Sequence, residues 1–336
     1  MIRAIAMTIL VTGATGFVGA AVARLLEAKG QTIRLMTRAT SPRDNLQDLK
    51  GEIVHGDLTD ADSLRAALDG CDGLYHVAAD YRLWAKDPSQ LYRVNVDGTE
   101  ALMRAALDAG IKRVVYTSSV ATLGNPGDGR PGDEATPVTL EDMTGDYKRS
   151  KYLGEQVVRR MVTDDKLSAV IVNPSTPIGP RDIKPTPTGQ MVLDAAAGKM
   201  PAYVDTGLNI AHVDDVAMGH WLAFEKGEIG RHYVLGGTDM GLGEIFAVIS
   251  EITGRKPPGV CLPIGPLMPL AWVMERIAHL PKMPAPMMTI DSLKMAKKKM
   301  FFSSDRAKAE LGYTARPPEA ALRDAIDWFR ANGRLA

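Results

Sequence analysis

The stretch at residues 8–30, "TILVTGATGFVGAAVARLLEAKG", decides how the rest of the chain reads. It opens as an apolar β-rich run (8–13), turns through three glycines, and closes as a helix (17–30) stopped by Gly30. Gly13, Gly16 and Gly19 are spaced Gly-x-x-Gly-x-x-Gly between the predicted strand and the predicted helix. That setting supplies a tight turn, a backbone able to approach a pyrophosphate, and a helix N-terminus aimed at negative charge. A ligand-free glycine turn would carry the same letters, but the strand–glycine–helix order is what dinucleotide binding needs.

Outward from this turn, β-rich runs at 32–38, 52–58, 73–79, 113–119 and 168–174 alternate with helical patterns, and 232–237 reads as a later strand. Such alternation predicts an α/β fold, a Rossmann doubly wound parallel sheet. One long helix is expected through Leu91, Val94, Gly98, Leu102 and Ala105. The segment 173–189, "NPSTPIGPRDIKPTPTG", holds five prolines and two glycines and reads as loop. The expected organisation is an NAD(P)-binding domain over 1–174, also receiving about 212–237, with 175–336 mainly a smaller, discontinuous substrate-binding part. A last helix over 319–331 puts Leu322, Ile326 and Phe329 on one face.

Lys plus Arg is 40 and Asp plus Glu is 40, which leaves no global electrostatic footprint for nucleic acid or an anionic membrane. Cys71 and Cys261 are far apart and near no histidine cluster, so neither a disulfide framework nor a zinc site is expected, in keeping with a cytoplasmic protein. The start, "MIRAIAMTIL", lacks the long apolar core of a secretory signal, and residues 1–6 read as a lead-in to the first strand. The apolar run 260–280 is broken by three prolines and by Glu275 and Arg276, so it is not expected to span a bilayer. The Met-rich stretch 259–300, ending in Lys297, Lys298 and Lys299 beside Phe301 and Phe302, reads as irregular core or pocket lining ahead of lipid contact.

In "GDYKRSKYLGEQ" (145–156), Tyr147 and Lys151 lie four apart on one helical face. A phenol titrates at about 10 and exchanges protons poorly at neutral pH. A cation within about 4–6 Å favours the phenolate and brings it toward working pH. The same spacing would also suit an ordinary surface pair. After the second strand, "MTRAT" offers Thr37 and Arg38 where NAD sites commonly carry an acid for the ribose. A guanidinium suits a 2′-phosphate, which points to NADP over NAD. In "HGDL", Asp57 either receives the adenine amino group or caps the helix starting near Asp60.

"TGATGFVG", "GDL", "HVAA", "NVDGT", "YTSSVATLG" and "YKRSK" occur in this order, followed by "HVDDVA" (212–217) and "DRAKAELGY" (305–313). Over nearly its whole length the chain resembles the extended short-chain dehydrogenase/reductase family, also called the NAD-dependent epimerase/dehydratase family. More narrowly it is similar to the hopanoid-associated sugar epimerases, often labelled dihydroflavonol-4-reductase-like. The resemblance implies a catalytic set of Ser119, Tyr147 and Lys151: the serine on the reacting oxygen, the tyrosine as acid/base, the lysine tuning it and holding the nicotinamide ribose. It implies cofactor contacts from Gly13, Thr15, Gly16, Phe17, Val18, Gly19, Arg38, Asp57, Leu58, Ala78, Asn95 and Pro174, together with Tyr147 and Lys151. Asn95, Ala78 and Pro174 could equally be packing positions.

On the substrate side, Tyr81 and Trp84 of "DYRLWAKDP" could stack on a ring or pack in their loop. Asn173 matches an asparagine that epimerases use at the sugar nucleotide, and Arg181 or Lys184 could meet a diphosphate or remain solvated. His212 reads as a structural contact, with Asp214 and Asp215 no metal pair. The resemblance further implies a homodimer through the helices bearing Asn95 and Tyr147. Three reactions share this apparatus: epimerisation through a transient ketone, net reduction, and dehydration. Dehydratases place an Asp-Glu pair where this chain has Val120 and Ala121, which disfavours dehydration. Nucleotide-sugar epimerisation is placed ahead of reduction by the narrow resemblance, while Arg38 and "SSVAT" favour an NADPH-dependent ketone or aldehyde reductase. A non-catalytic dinucleotide sensor is the remaining reading, and the filled Ser, Tyr and Lys positions argue against it.

Overall fold

The computed structural model describes residues 7–280 and 283–335, so the lead-in expected at 1–6 lies outside the described residues. β1 (Thr8–Thr12), α1 (Phe17–Ala28), β2 (Thr32–Thr37), β3 (Glu52–His55), α2 (Ala61–Leu68) and β4 (Gly73–His76) follow one another along the chain. Next come α3 (Ser89–Tyr92), α4 (Gly98–Asp108), β5 (Arg113–Thr117), α5 (Gly145–Asp164) and β6 (Ala169–Pro174). The second half holds β7 (Thr176–Ile178), α6 (Pro187–Ala196), β8 (Ala202–Val204), β9 (Gly207–His212), α7 (Val213–Lys226) and β10 (His232–Leu235). It ends with β11 (Thr238–Gly241), α8 (Leu242–Thr253), β12 (Val260–Leu262), α9 (Ile264–Ala278), α10 (Ile290–Ala296) and α11 (Pro318–Ala331).

Seven of these strands form one parallel sheet in the order β10-β6-β5-β4-β1-β2-β3. Side chains alternate along each strand, so the apolar runs feed both faces. Ile9, Val11, Leu35 and Tyr75 pack with Leu26 of α1 and Phe224 of α7 on one side. Leu10, Leu74, Val114 and Tyr116 pack with Leu64 of α2, Leu102 of α4 and Met161 of α5 on the other. A side chain as enclosed as Leu26 contributes about 1.5–3 kcal/mol by leaving water. Connections from β1 and β4 leave in opposite directions, which opens a crevice at their carboxyl ends, the place where open α/β sheets bind ligands. This is the doubly wound Rossmann architecture that the hydrophobic pattern predicts.

Two expectations are corrected. The helix through Asn95 is not one continuous α-helix: Arg93–Asp97 is a π turn between α3 and α4. Such an extra residue recurs where a side chain is diverted to another task, and Asn95 is tied to Asp80 and Ser150. The proline-rich segment is not all loop. It contains β7, the edge strand of a second sheet ordered β11-β9-β7, where Pro177 costs no ladder bond. Pro187 starts α6 under a cap by Thr186, a position that suits a residue without an N–H. A separate core around α6, α8 and α11 takes in Val192, Phe246, Leu322, Ile326 and Phe329. No helix among the described residues is long and apolar enough to cross a membrane.

Candidate active site

The glycine turn follows β1 into the crevice. Gly13 has φ +74°, and a Cβ there would sit 2.6 Å from the Ala78 nitrogen; a Cβ on Gly19 would collide with the Gly13 carbonyl. These two glycines let strand, turn and helix close on each other beside the loop after β4. Gly16 is exposed and precedes α1, whose first turn has neither a side-chain cap nor an acid. The first-turn N–H groups, among them those of Phe17 and Val18, are therefore left for an anion. Thr15 is fixed through its carbonyl, which accepts from Asn45 Nδ2 at 3.2 Å.

At the end of β2 the Thr37 hydroxyl is buried without a partner, and Arg38 beside it is exposed. A buried hydroxyl in that state calls for an acceptor or donor from a ligand. Asp57 does not cap α2; Asp60 does, accepting from Asp62 N and Ser63 N. Asp57 instead accepts from the Thr59 nitrogen at 2.9 Å and the Thr59 hydroxyl at 2.7 Å. The Thr59 N–H holds its carboxyl below the usual range, with the Arg38 charge acting in the same direction. Leu58 is buried under this turn. The donors and shape present here fit a dinucleotide: an open helix end for the pyrophosphate, and an orphaned hydroxyl with a guanidinium at the adenosine side.

At the other end, Ser119 stands in extended backbone just past β5, its hydroxyl accepting from Ala121 N at 3.1 Å. The Tyr147 side chain, on the first turns of α5, comes close enough to Ser119 for that residue to favour the phenolate. Lys151 is buried; its Nζ donates to the Thr117 carbonyl at 2.9 Å and lies 5.1 Å from the centre of the Tyr116 ring. Burial lowers this ammonium to about 8. Burial also pushes the half-buried Tyr147 phenol upward, and the nearby Ser119 only partly opposes that. Depression of the phenol by Lys151 is thus absent from this geometry, because the ammonium is committed to the end of β5.

A carboxylate that spacing alone did not single out lies beneath these groups. Glu155, one turn past Lys151 on α5, is buried and accepts from Ser118 Oγ at 2.6 Å, Thr122 Oγ1 at 2.8 Å and Asn173 Nδ2 at 3.0 Å. Arg159 Nη2 reaches its other oxygen at 2.6 Å. Asn173, expected at a sugar nucleotide, is fully enclosed in this network, and its Nδ2 also donates to the Ser119 carbonyl at 3.0 Å. Asn95 is likewise engaged by protein: its Oδ1 accepts from Asp80 N at 2.8 Å, and its Nδ2 donates to Asp80 O at 2.9 Å and Ser150 Oγ at 3.0 Å. It fixes the loop after β4 against α5. Ala78 lines the glycine turn, and Pro174 closes β6 against Leu235.

The substrate-side residues are dispersed. Tyr81 is exposed, whereas Trp84 packs edge-on against His279, with ring centres 5.4 Å apart. Arg181 is drawn to Asp48 at 3.3 Å, a carboxylate that Arg24 also holds at 2.8 Å, so its charge is engaged on the α1 side. Its neighbour Asp182 is buried, accepts from the Thr186 nitrogen and hydroxyl at 2.8 Å each, and leaves Oδ1 unpartnered; burial pushes it up to about 6. A cavity of about 70 Å³, to which neither Ser119 nor Tyr147 contributes, is lined by Met143, Lys148, Met295, Lys298, Met300 and Phe302. The end of the Met-rich stretch thus lines a pocket, and burial lowers Lys148 there to about 8. His212 caps α7 and meets Asp324 at 3.1 Å, a structural role. No cluster of three metal-ligating side chains occurs among the described residues.

Residues 9–236 match the family model described as "NAD dependent epimerase/dehydratase family". A Synechocystis protein named "Putative dihydroflavonol 4-reductase" is 45% identical over 98% of this chain and 96% of its own length. "Sterol demethylase protein B" of Methylococcus capsulatus is 35% identical over 98% of this chain and 100% of its own length. Among solved structures, that of gox2253 superposes with a TM-score of 0.89 at 55% identity, covering 98% of this chain and 99% of the other. The chain belongs to the NAD-dependent epimerase/dehydratase family, the extended short-chain dehydrogenases/reductases, whose members bind NAD(P).

Proposed function

We propose that this chain is an NADPH-linked reductase of a ketone or aldehyde. The observation that carries the reading is the approach of the Tyr147 side chain on α5 to Ser119 at the end of β5, with the buried Lys151 one turn along the same helix. Two hydroxyls meeting at one point can both donate to a single carbonyl oxygen. A nicotinamide nucleotide, when bound, supplies the hydride. Tyr147 gives its proton to the substrate oxygen as that oxygen gains charge, and Ser119 holds the oxygen in place. Lys151 favours the phenolate left behind once its ammonium turns from the Thr117 carbonyl toward Tyr147. Arg38 and the unpartnered Thr37 hydroxyl receive a 2′-phosphate, which selects NADPH.

Reduction is placed ahead of nucleotide-sugar epimerisation because Asn173 and Arg181, the groups expected at a sugar diphosphate, are engaged by Glu155 and Asp48. The reductase name of the 45% identical relative supports the same order. Epimerisation is kept as the second reading by the family description itself. Cofactor stoichiometry tests the choice. Purified protein with NADPH and a panel of cyclic and aryl ketones should oxidise one NADPH per product. Repeated turnover of a nucleotide sugar without net NADPH loss would make it an epimerase.

A further inference from the structure

Nine of the thirteen exposed large hydrophobic side chains among the described residues fall between 260 and 287. They include Leu270, Trp272, Val273, Ile277 and Leu280, with Met287 the most exposed at 88%. α9 buries only Ala271 and Ala278, seven residues apart, so the small side chains face the protein and the large ones face out. Its charges are sorted in the same way. Glu275 is turned inward, accepting from Ile290 N at 2.9 Å, whereas Arg276 is exposed and lies 5.2 Å from the centre of the Trp272 ring.

The rim of this face is basic. Lys86 donates to the Leu280 carbonyl at 2.9 Å at one end, and at the other Lys297 lies beside Leu262, Pro263 and Ile264, where Asp205 also sits, 3.8 Å from Lys299. Within 260–300 there are six basic residues and two acidic ones, in a chain whose totals balance at 40 and 40. A second copy meeting this face about a two-fold axis would bring cation against cation. An apolar helix face with tryptophan and proline, rimmed by lysines, is instead complementary to an anionic interface.

We propose that β12, α9 and the exposed side chains of Leu280, Met283 and Met287 form an in-plane docking surface for an anionic lipid bilayer. The helix lies along the headgroup region, with Trp272 and Ile277 inserted and Arg276 and Lys297 on phosphates. Nothing in this depends on the redox reading. Contacts from Lys86 to Leu280 and from Trp84 to His279 tie the surface to the loop after β4, so docking sets the mouth of the crevice beside the lipid.

The test is co-sedimentation of the full chain with phosphatidylcholine vesicles and with vesicles also containing about a third phosphatidylglycerol. Partitioning should be more than about tenfold stronger on the anionic vesicles and weaken with salt. Trp272→Ser with Ile277→Ser should lose binding to both, and Arg276→Glu with Lys297→Glu should lose only the anionic preference. Both variants should keep the wild-type Tm and NADPH binding, since these side chains are exposed. Failure of the wild type to sediment with either vesicle would overturn the proposal, as would variants that sediment like wild type. A vesicle-free wild-type dimer that Trp272→Ser with Ile277→Ser converts to monomer would assign the face to a second copy and equally overturn it.

Discussion

The Asn173 amide, at the end of β6, donates to the Ser119 carbonyl at 3.0 Å while gripping the buried Glu155 carboxylate at the same distance. Ser119 is therefore held from below, through its backbone, by a charge on the helix that carries Tyr147 and Lys151. Ser118 and Thr122, either side of it, bind the same carboxylate. Such a network sets geometry at the cost of burying a charge, and it leaves the Asn173 Oδ1 buried without a partner.

Glu155→Gln removes the charge but not the volume. It leaves the Arg159 guanidinium short of its partner and puts an amide N–H where donors converge, costing about 2–4 kcal/mol. Thermal unfolding should show the loss. Turnover should fall more than NADPH affinity, because the displaced group is Ser119 and not the glycine turn.

Arg38→Ala should weaken NADPH binding by about tenfold to a hundredfold, the worth of one or two charge-assisted hydrogen bonds, and leave NADH binding unchanged. Cofactor fluorescence titration reads both. Equal loss for the two cofactors would remove the 2′-phosphate role from Arg38.

His220 is enclosed between Thr117 Oγ1 at 3.0 Å and the Val216 carbonyl at 2.7 Å, and burial lowers it to about 4. His76, between Thr12 and Thr99, is lowered to about 3. A folded-state value below the unfolded one means that the contribution is present above about 6.5 and is lost as pH falls through the folded value. Each histidine should add a slope of about 1.4 kcal/mol per pH unit within that window. In His220→Gln the decline in stability between pH 6.5 and about 4 should be shallower by that amount. An unchanged slope would show that His220 charges inside the fold.

The sheet was legible because each strand is an apolar run with turn chemistry at its ends, and the glycine turn because a Cβ at Gly13 would run into the Ala78 backbone at 2.6 Å. The four-residue spacing of Tyr147 and Lys151 on α5 is a local relation that suits a surface pair equally, and their role, like that of Ser119, is read from the family resemblance. What escaped notice is long-range. Glu155 gathers partners 18 to 37 residues away, and Asn95 bonds Ser150 across 55 positions, so periodicity carries no sign of either. β7 was hidden because prolines read as loop, although an edge strand admits them. The apolar letters of α9 were visible, but not that they face outward, which depends on Ala271 and Ala278 being the side packed on the protein. The raised phenol of Tyr147 also depended on where the Lys151 ammonium points.

The convergence of the Ser119 and Tyr147 hydroxyls on one carbonyl oxygen is tested most directly by Tyr147→Phe, assayed for NADPH binding and for ketone reduction on the same preparation. The predicted result is cofactor affinity within about twofold of wild type, with reduction slower by about 10²–10⁴-fold, the range for loss of a positioned proton donor. Reduction at the wild-type rate in Tyr147→Phe would contradict it.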